Sequence, residues 1–162
     1  MSIHADWPFV TVHWQPSFAA VHMEWHRPPS SRGYQVAMET GLRLLERQGA
    51  GGWLDDCRHL EGLSETDRHW YTEDFVPRAG SVGLRSLAII PSEDDVLAPW
   101  VTKPGCVPEE SPMANVRQPQ VAFFVRPLEA MLWLRRAGKN SGRIAVTPGI
   151  DPVVDHLMRL AP

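Results

Sequence analysis

The chain has 162 residues and a formal charge of −3, from 16 Lys and Arg against 19 Asp and Glu. That length suits one compact domain with at most a very small second one, and 43% hydrophobic against 22% charged residues is enough to bury a core. The near-neutral balance argues against a dedicated nucleic-acid binder, and no apolar run approaches the roughly 20 residues that span a bilayer. Met1 to Trp7 lack the basic start and apolar stretch of a secretory signal. Two cysteines, Cys57 and Cys106, cannot build a disulfide scaffold, so a reducing cytoplasm is the expected compartment.

Phe9 to Trp14 and Ala20 to His26 read as two strands joined at Gln15, Pro16 and Ser17, an opening antiparallel pair. In the second, Val21, Met23 and Trp25 alternate with His22, Glu24 and His26, the period of a half-buried strand. A helix follows from Ser31 to Gln48, with Tyr34, Ala37, Met38, Gly41, Leu42 and Leu45 on one face and Gly49 as its stop. The cluster Gly49 to Gly52 is a turn, because it leads into a strand at Gly52 to Asp56 and not into a helix that could hold a phosphate.

Ser64 caps the next helix with Asp67 three residues on, and Pro77 is expected to end or kink it. Leu87 to Ile90, stopped at Pro91, reads as a buried central strand, and Val121 to Val125 repeats that character. Between them, Pro99, Pro104, Gly105, Pro108, Pro112 and Pro119 break regular structure over residues 99–119. A loop of about 20 residues far exceeds the usual connection of roughly 4–6 and is either functional or disordered. Pro127 opens a last helix that Gly138 stops, and its apolar Leu128 to Leu134 predict deep burial. Beyond it, Arg143 to Val146 suggest a strand and Asp151 to Leu160 a short helix.

The order β-β-α-β-α-β-loop-β-α predicts an α/β domain with a small mixed, mostly parallel sheet covered by helices. Its landmarks are Leu54 to Arg58 closing a strand, Leu63 to Asp67 opening a helix that carries Trp70, Phe75 and Pro77, then Gly83, Leu87 to Pro91, and Ala130 to Leu134. This succession, over roughly residues 9–135, resembles the STAS-like bacterial proteins, whose fold is like that of the anti-sigma-factor antagonists. The resemblance implies a STAS-like domain over residues 1–138, including the proline-rich loop 99–119, and dimers are frequent in the family. Residues 139–162 are expected to be an extension packed on the domain or on a dimer partner. The antagonists carry a phosphorylatable serine at a helix start after a strand. Here Asp56, Cys57, Arg58 and His59 stand near that place with no serine before Ser64, so the phosphoswitch does not transfer.

Seven histidines raise a metal reading, since His22, Glu24 and His26 share one face of a strand and His13 can join from its neighbour. A solvent-facing side of a strand is polar in any case, no HExxH or paired CxxC accompanies the set, and no metal or other cofactor is expected. Asp55, Asp56, Cys57, Arg58 and His59 gather at the end of a strand where α/β sheets keep their crevice. Cys57 beside His59 raises a thiol nucleophile; the plainer reading has Asp56 and Arg58 tie the strand end to the next loop by hydrogen bonds. Seven tryptophans are a heavy load. Trp53 and Trp133 read as core, while Trp70, Tyr71 and Phe75 with Trp100 of the proline loop can wall an apolar pocket or fill a core or dimer seam.

No Walker, Rossmann or GxSxG pattern is present. The expected function is therefore a non-enzymatic STAS-like regulatory module. It would bind a protein partner or a small apolar molecule through Asp56, Arg58, Trp70, Tyr71, Phe75 and Trp100, with dimerisation through aromatic surface left open. The alternative is a small cytoplasmic enzyme with a crevice around Asp56, Arg58 and His59. No residue is assigned a catalytic role.

Overall fold

The structure is a computed structural model, described over residues 1–61, 63–92 and 119–139. Six strands lie side by side in sequence order: β1 (Ser2–Trp7), β2 (Val10–Gln15), β3 (Ala20–Trp25), β4 (Gly52–Asp56), β5 (Ser86–Ile90) and β6 (Gln120–Phe123). The pairs β1–β2 and β2–β3 are antiparallel, and β3 through β6 run parallel. The sheet is thus mixed and mostly parallel, opening with antiparallel strands, as the sequence predicts. β1 is an addition to that expectation. Ser2, Ile3 and His4 are exposed, so this edge strand has no repeated buried face to betray it.

Helix α1 (Ser31–Gln48) has the predicted limits, and both ends have a physical cause. Ser30 Oγ accepts from the Gly33 N–H at 3.1 Å, and Gly49 takes the left-handed φ of 59° that glycine adopts without strain. Its inner face presses on the sheet most closely at Gly41, where a Cβ would stand 2.6 Å from Trp53 Cη2. Helix α2 (Glu65–Trp70) starts at Ser64, whose Oγ accepts from the Asp67 N–H at 3.1 Å. Pro77 does not end it. A single wide turn, Tyr71–Phe75, in which the Val76 N–H reaches the Tyr71 carbonyl, leads directly into α3 (Val76–Ser81). Pro77 then sits in the first turn of α3, directly after that wide turn.

Side-chain alternation sends one residue of each pair to each face. On the helical face, Val10, Val12, Val21, Met23, Trp25, Trp53, Leu87 and Ile89 pack with Tyr34, Met38 and Leu45 of α1 and with Tyr71, Phe75 and Ala79 of the α2–α3 run. On the opposite face, Ala20, Leu54, Ala88 and Ile90 pack with Ala130 and Leu134 of α4 (Pro127–Lys139). α4 lies on β4, β5 and the 3₁₀ turn Pro16–Phe18.

Three expectations need correction. α4 is not deeply buried: Leu128 is 65% exposed, and Trp133, read as core, is only half-buried against Phe124. A helix resting on one small apolar strip can bury only one side, whatever the composition of the other. Gly138 does not stop α4, which runs to Lys139. β6 is half-buried with Gln120 exposed, and among the described residues it pairs with β5 alone, so it is not a second central strand. The elements read at residues 143–146 and 151–160, and the proline loop up to residue 118, lie outside the described residues.

Candidate functional site

β4 ends at Asp56, and the chain turns out of the sheet through Cys57, whose N–H donates to the Ile90 carbonyl at 2.8 Å. That anchor places Arg58 over the strand it has just left. Its Nε donates to Asp56 Oδ1 at 2.8 Å and its Nη2 to Oδ2 at 2.7 Å, a two-pronged pair. The Asp56 side chain is 4% exposed and that of Arg58 47%, so a buried carboxylate holds a half-exposed cation at the rim. The Asp56 hydrogen bonds raise the guanidinium further above its ordinary value. The strand end is thus tied to the loop that follows it through Asp56 and Arg58, and the pairing of these two side chains with each other is what the structure adds. His59 is exposed at the next position.

Beside Asp56 on the same face runs a polar stripe, because residues two apart on paired strands share a side. Glu24 stands opposite Asp56, Thr11 opposite Glu24, and His13 opposite His22. His13 Nε2 and Glu24 Oε2 are 2.9 Å apart, the two imidazole rings lie 5.2 Å apart, and His26 Nε2 is 2.7 Å from Thr11 Oγ1. His22 is 5% exposed, and neither ring nitrogen has a hydrogen-bond partner among the described residues. Burial first, and then His13, lower its pKa to about 4, so it is neutral at pH 7. The predicted face of His13, His22, Glu24 and His26 is therefore real. Among the described residues, however, no three His, Cys, Asp or Glu side chains converge to hold a metal ion.

The aromatic candidates occupy the other side of the sheet. Tyr71 and Phe75 are each 2% exposed, stacked with centroids 5.5 Å apart. Trp70 is half-buried, 5.6 Å from Phe75 and edge-on to Tyr34 at 6.0 Å. Asp56 and Arg58 are thus not brought together with Trp70, Tyr71 and Phe75: the sheet separates them. Trp100 lies outside the described residues.

Within that aromatic core sits Asp55, whose Oδ1 accepts from Trp25 Nε1 at 2.8 Å and whose carboxylate also interacts with the Cys57 thiol. Burial pushes its carboxyl up to about 6. Burial likewise pushes the Cys57 thiol well up, with Asp55 adding to the effect, so Cys57 stays a protonated core thiol without nucleophilic character. In the sequence Asp55 stands among ionisable neighbours, and the signal that sets it apart is that it shares the core-facing parity of Trp53, two residues before it.

No family model matches the chain, and no solved structure matches it. A beta-galactosidase of Lactococcus lactis subsp. lactis (strain IL1403) is 28% identical over 97 residues, which is 56% of this chain and 10% of that protein. The chain thus spans about a tenth of the length of that relative.

Proposed function

We propose that this chain is a non-enzymatic regulatory module of the STAS-like kind, which binds a partner or ligand at the rim of the sheet formed by Glu24, Asp56 and Arg58. The observation that carries this reading is the pairing of Asp56 with Arg58. Both carboxylate oxygens are occupied by one guanidinium, so Asp56 serves as a fixed support and not as a free acid or base. What it supports is a rigid, half-exposed cation that loses little freedom when it meets an acceptor. Cys57, the neighbouring nucleophile candidate, faces the opposite core.

The enzyme reading around Asp56, Arg58 and His59 draws on one observation, the buried neutral His22 beside Glu24 and Asp56, a group that a bound substrate could engage. Native mass spectrometry of gently purified protein, with Arg58→Ala in parallel, separates the outcomes. The binding reading expects an added mass on the wild type that is absent from the folded variant. A bare wild-type chain, or an added mass retained equally by Arg58→Ala, contradicts it.

A further inference from the structure

The end of the sheet farthest from Asp56 holds a cavity of about 230 Å³. It lies between the Pro16–Phe18 turn, the Gly49 to Gly52 connection, the first residue of β5 and the last turns of α4. Two arginines line it, Arg85 and Arg135, one from each side, and no acidic side chain is among the described residues that do. Both arginines are exposed, and neither makes an ion pair or side-chain hydrogen bond with any described residue. Arg85 lies across Gly51: a Cβ there would stand 2.7 Å from its Nε and 2.8 Å from its Nη2. A side chain at position 51 would have to push this guanidinium aside from the cavity wall.

The third polar group is Ser86, 5% exposed as a residue, which lines the cavity between the two arginines' elements. The carbonyl end of α4 attracts a cation and accounts in part for Arg135. It does not account for Arg85. α1 also ends here, but the Gly49 and Ala50 N–H groups, each at 3.0 Å, already cap its Glu46 and Leu45 carbonyls. Two guanidinium groups with no carboxylate partner among the described residues, the Ser86 hydroxyl and a small apolar wall from Phe18 and Leu134 share one chemical complement.

We propose that this cavity binds a small organic anion. Its carboxylate or phosphate would sit between Arg85 and Arg135 and accept from the Ser86 hydroxyl, with a short apolar body against Phe18 and Leu134. The volume is below the roughly 300 Å³ at which drug-sized sites begin, which limits the ligand to a single small ring or chain. This site shares no residue with the Asp56–Arg58 rim, and either can fail without the other.

The test is titration of the isotope-labelled full chain with phenyl phosphate and, separately, benzoate, at constant ionic strength set by sodium chloride, followed by amide NMR. Saturable shifts are expected at Ser17, Gly51, Gly52 and Ser86, with binding weakened at least tenfold by Arg85→Ala and by Arg135→Ala, and unchanged by Arg136→Ala just outside the cavity. Saturation by phenyl phosphate alone assigns a phosphate ligand, and saturation by benzoate alone a carboxylate. Shifts that chloride reproduces, that fail to saturate with either probe, or that persist unweakened in both arginine variants overturn the proposal.

Discussion

On the face covered by α1, α2 and α3, β2 to β5 present Val12, Met23, Trp53 and Leu87; one residue along the same strands, the other face presents His13, His22, Glu24 and Asp56 together with Ala88. The first face is sealed by aromatic packing. The second is apolar only where α4 rests, and elsewhere carries ionisable groups in close register. Each face holds an ionisable group whose pKa its burial has shifted. Asp55 is a carboxylate in the aromatic core, and His22 is an imidazole neither of whose nitrogens has a hydrogen-bond partner among the described residues. A two-residue period therefore sets a stability-bearing surface and a chemically loaded one back to back, and variants on each side should separate the two.

The largest expected effect is at Asp55. A carboxyl raised from 3.8 to about 6 by burial costs the folded state about 3 kcal/mol once the pH exceeds both values. Asp55→Asn keeps an acceptor for Trp25 and should raise stability by about that amount at pH 8, with little change below pH 4, in urea unfolding. His22→Leu is next. It removes two buried nitrogens with no hydrogen-bond partner among the described residues and should gain about 1–3 kcal/mol at pH 7, and more under mild acid. A loss of stability together with a loss of bound mass would instead make His22 part of a binding site.

Gly41→Ala tests how tightly the helical face is closed. The added methyl must displace the buried Trp53 ring, so a net loss of about 1–2 kcal/mol is expected despite better helix propensity. Ser64→Ala removes the cap on the Asp67 N–H and a hydroxyl donor to its Oδ2, and should cost about 1 kcal/mol in the same assay. Smallest is Arg78→Ala. It dissolves exposed pairs with Glu39 and Asp74 and should change stability by less than about 1 kcal/mol, and less again in high salt.

The helical face was largely legible in the sequence because its signals are local. Spacing fixes the inner side of α1, Gly49 its end, and Ser64 with Asp67 the start of α2. The shared side of His13, His22 and Glu24 was legible too, since it follows from alternation alone. What escaped depends on contacts between distant parts of the chain. The bond between Trp25 and Asp55 spans thirty residues, and nothing near either one announces it. Trp70, Tyr71 and Phe75 have the composition of a pocket wall as much as of a core, and only the packing of Tyr71 and Phe75 beneath α1 and the sheet distinguishes the two. The cavity at Arg85 and Arg135 joins residues fifty apart, which no spacing rule connects.

The contrast between the two faces is tested most directly by unfolding free energy measured from pH 4 to pH 8 for the wild type, Asp55→Asn and His22→Leu. The two groups act in overlapping windows with opposite sign. Asp55, raised from 3.8 to about 6, lowers stability as the pH rises from about 4 to 6; His22, lowered from 6.5 to about 4, lowers it as the pH falls from 6.5 to 4. In the wild type these slopes largely cancel between pH 4 and 6. Asp55→Asn should therefore show stability rising with pH across that window, and His22→Leu should show it falling. Profiles that remain parallel to the wild type in both variants would contradict the account of two buried, oppositely strained groups on opposite faces of one sheet.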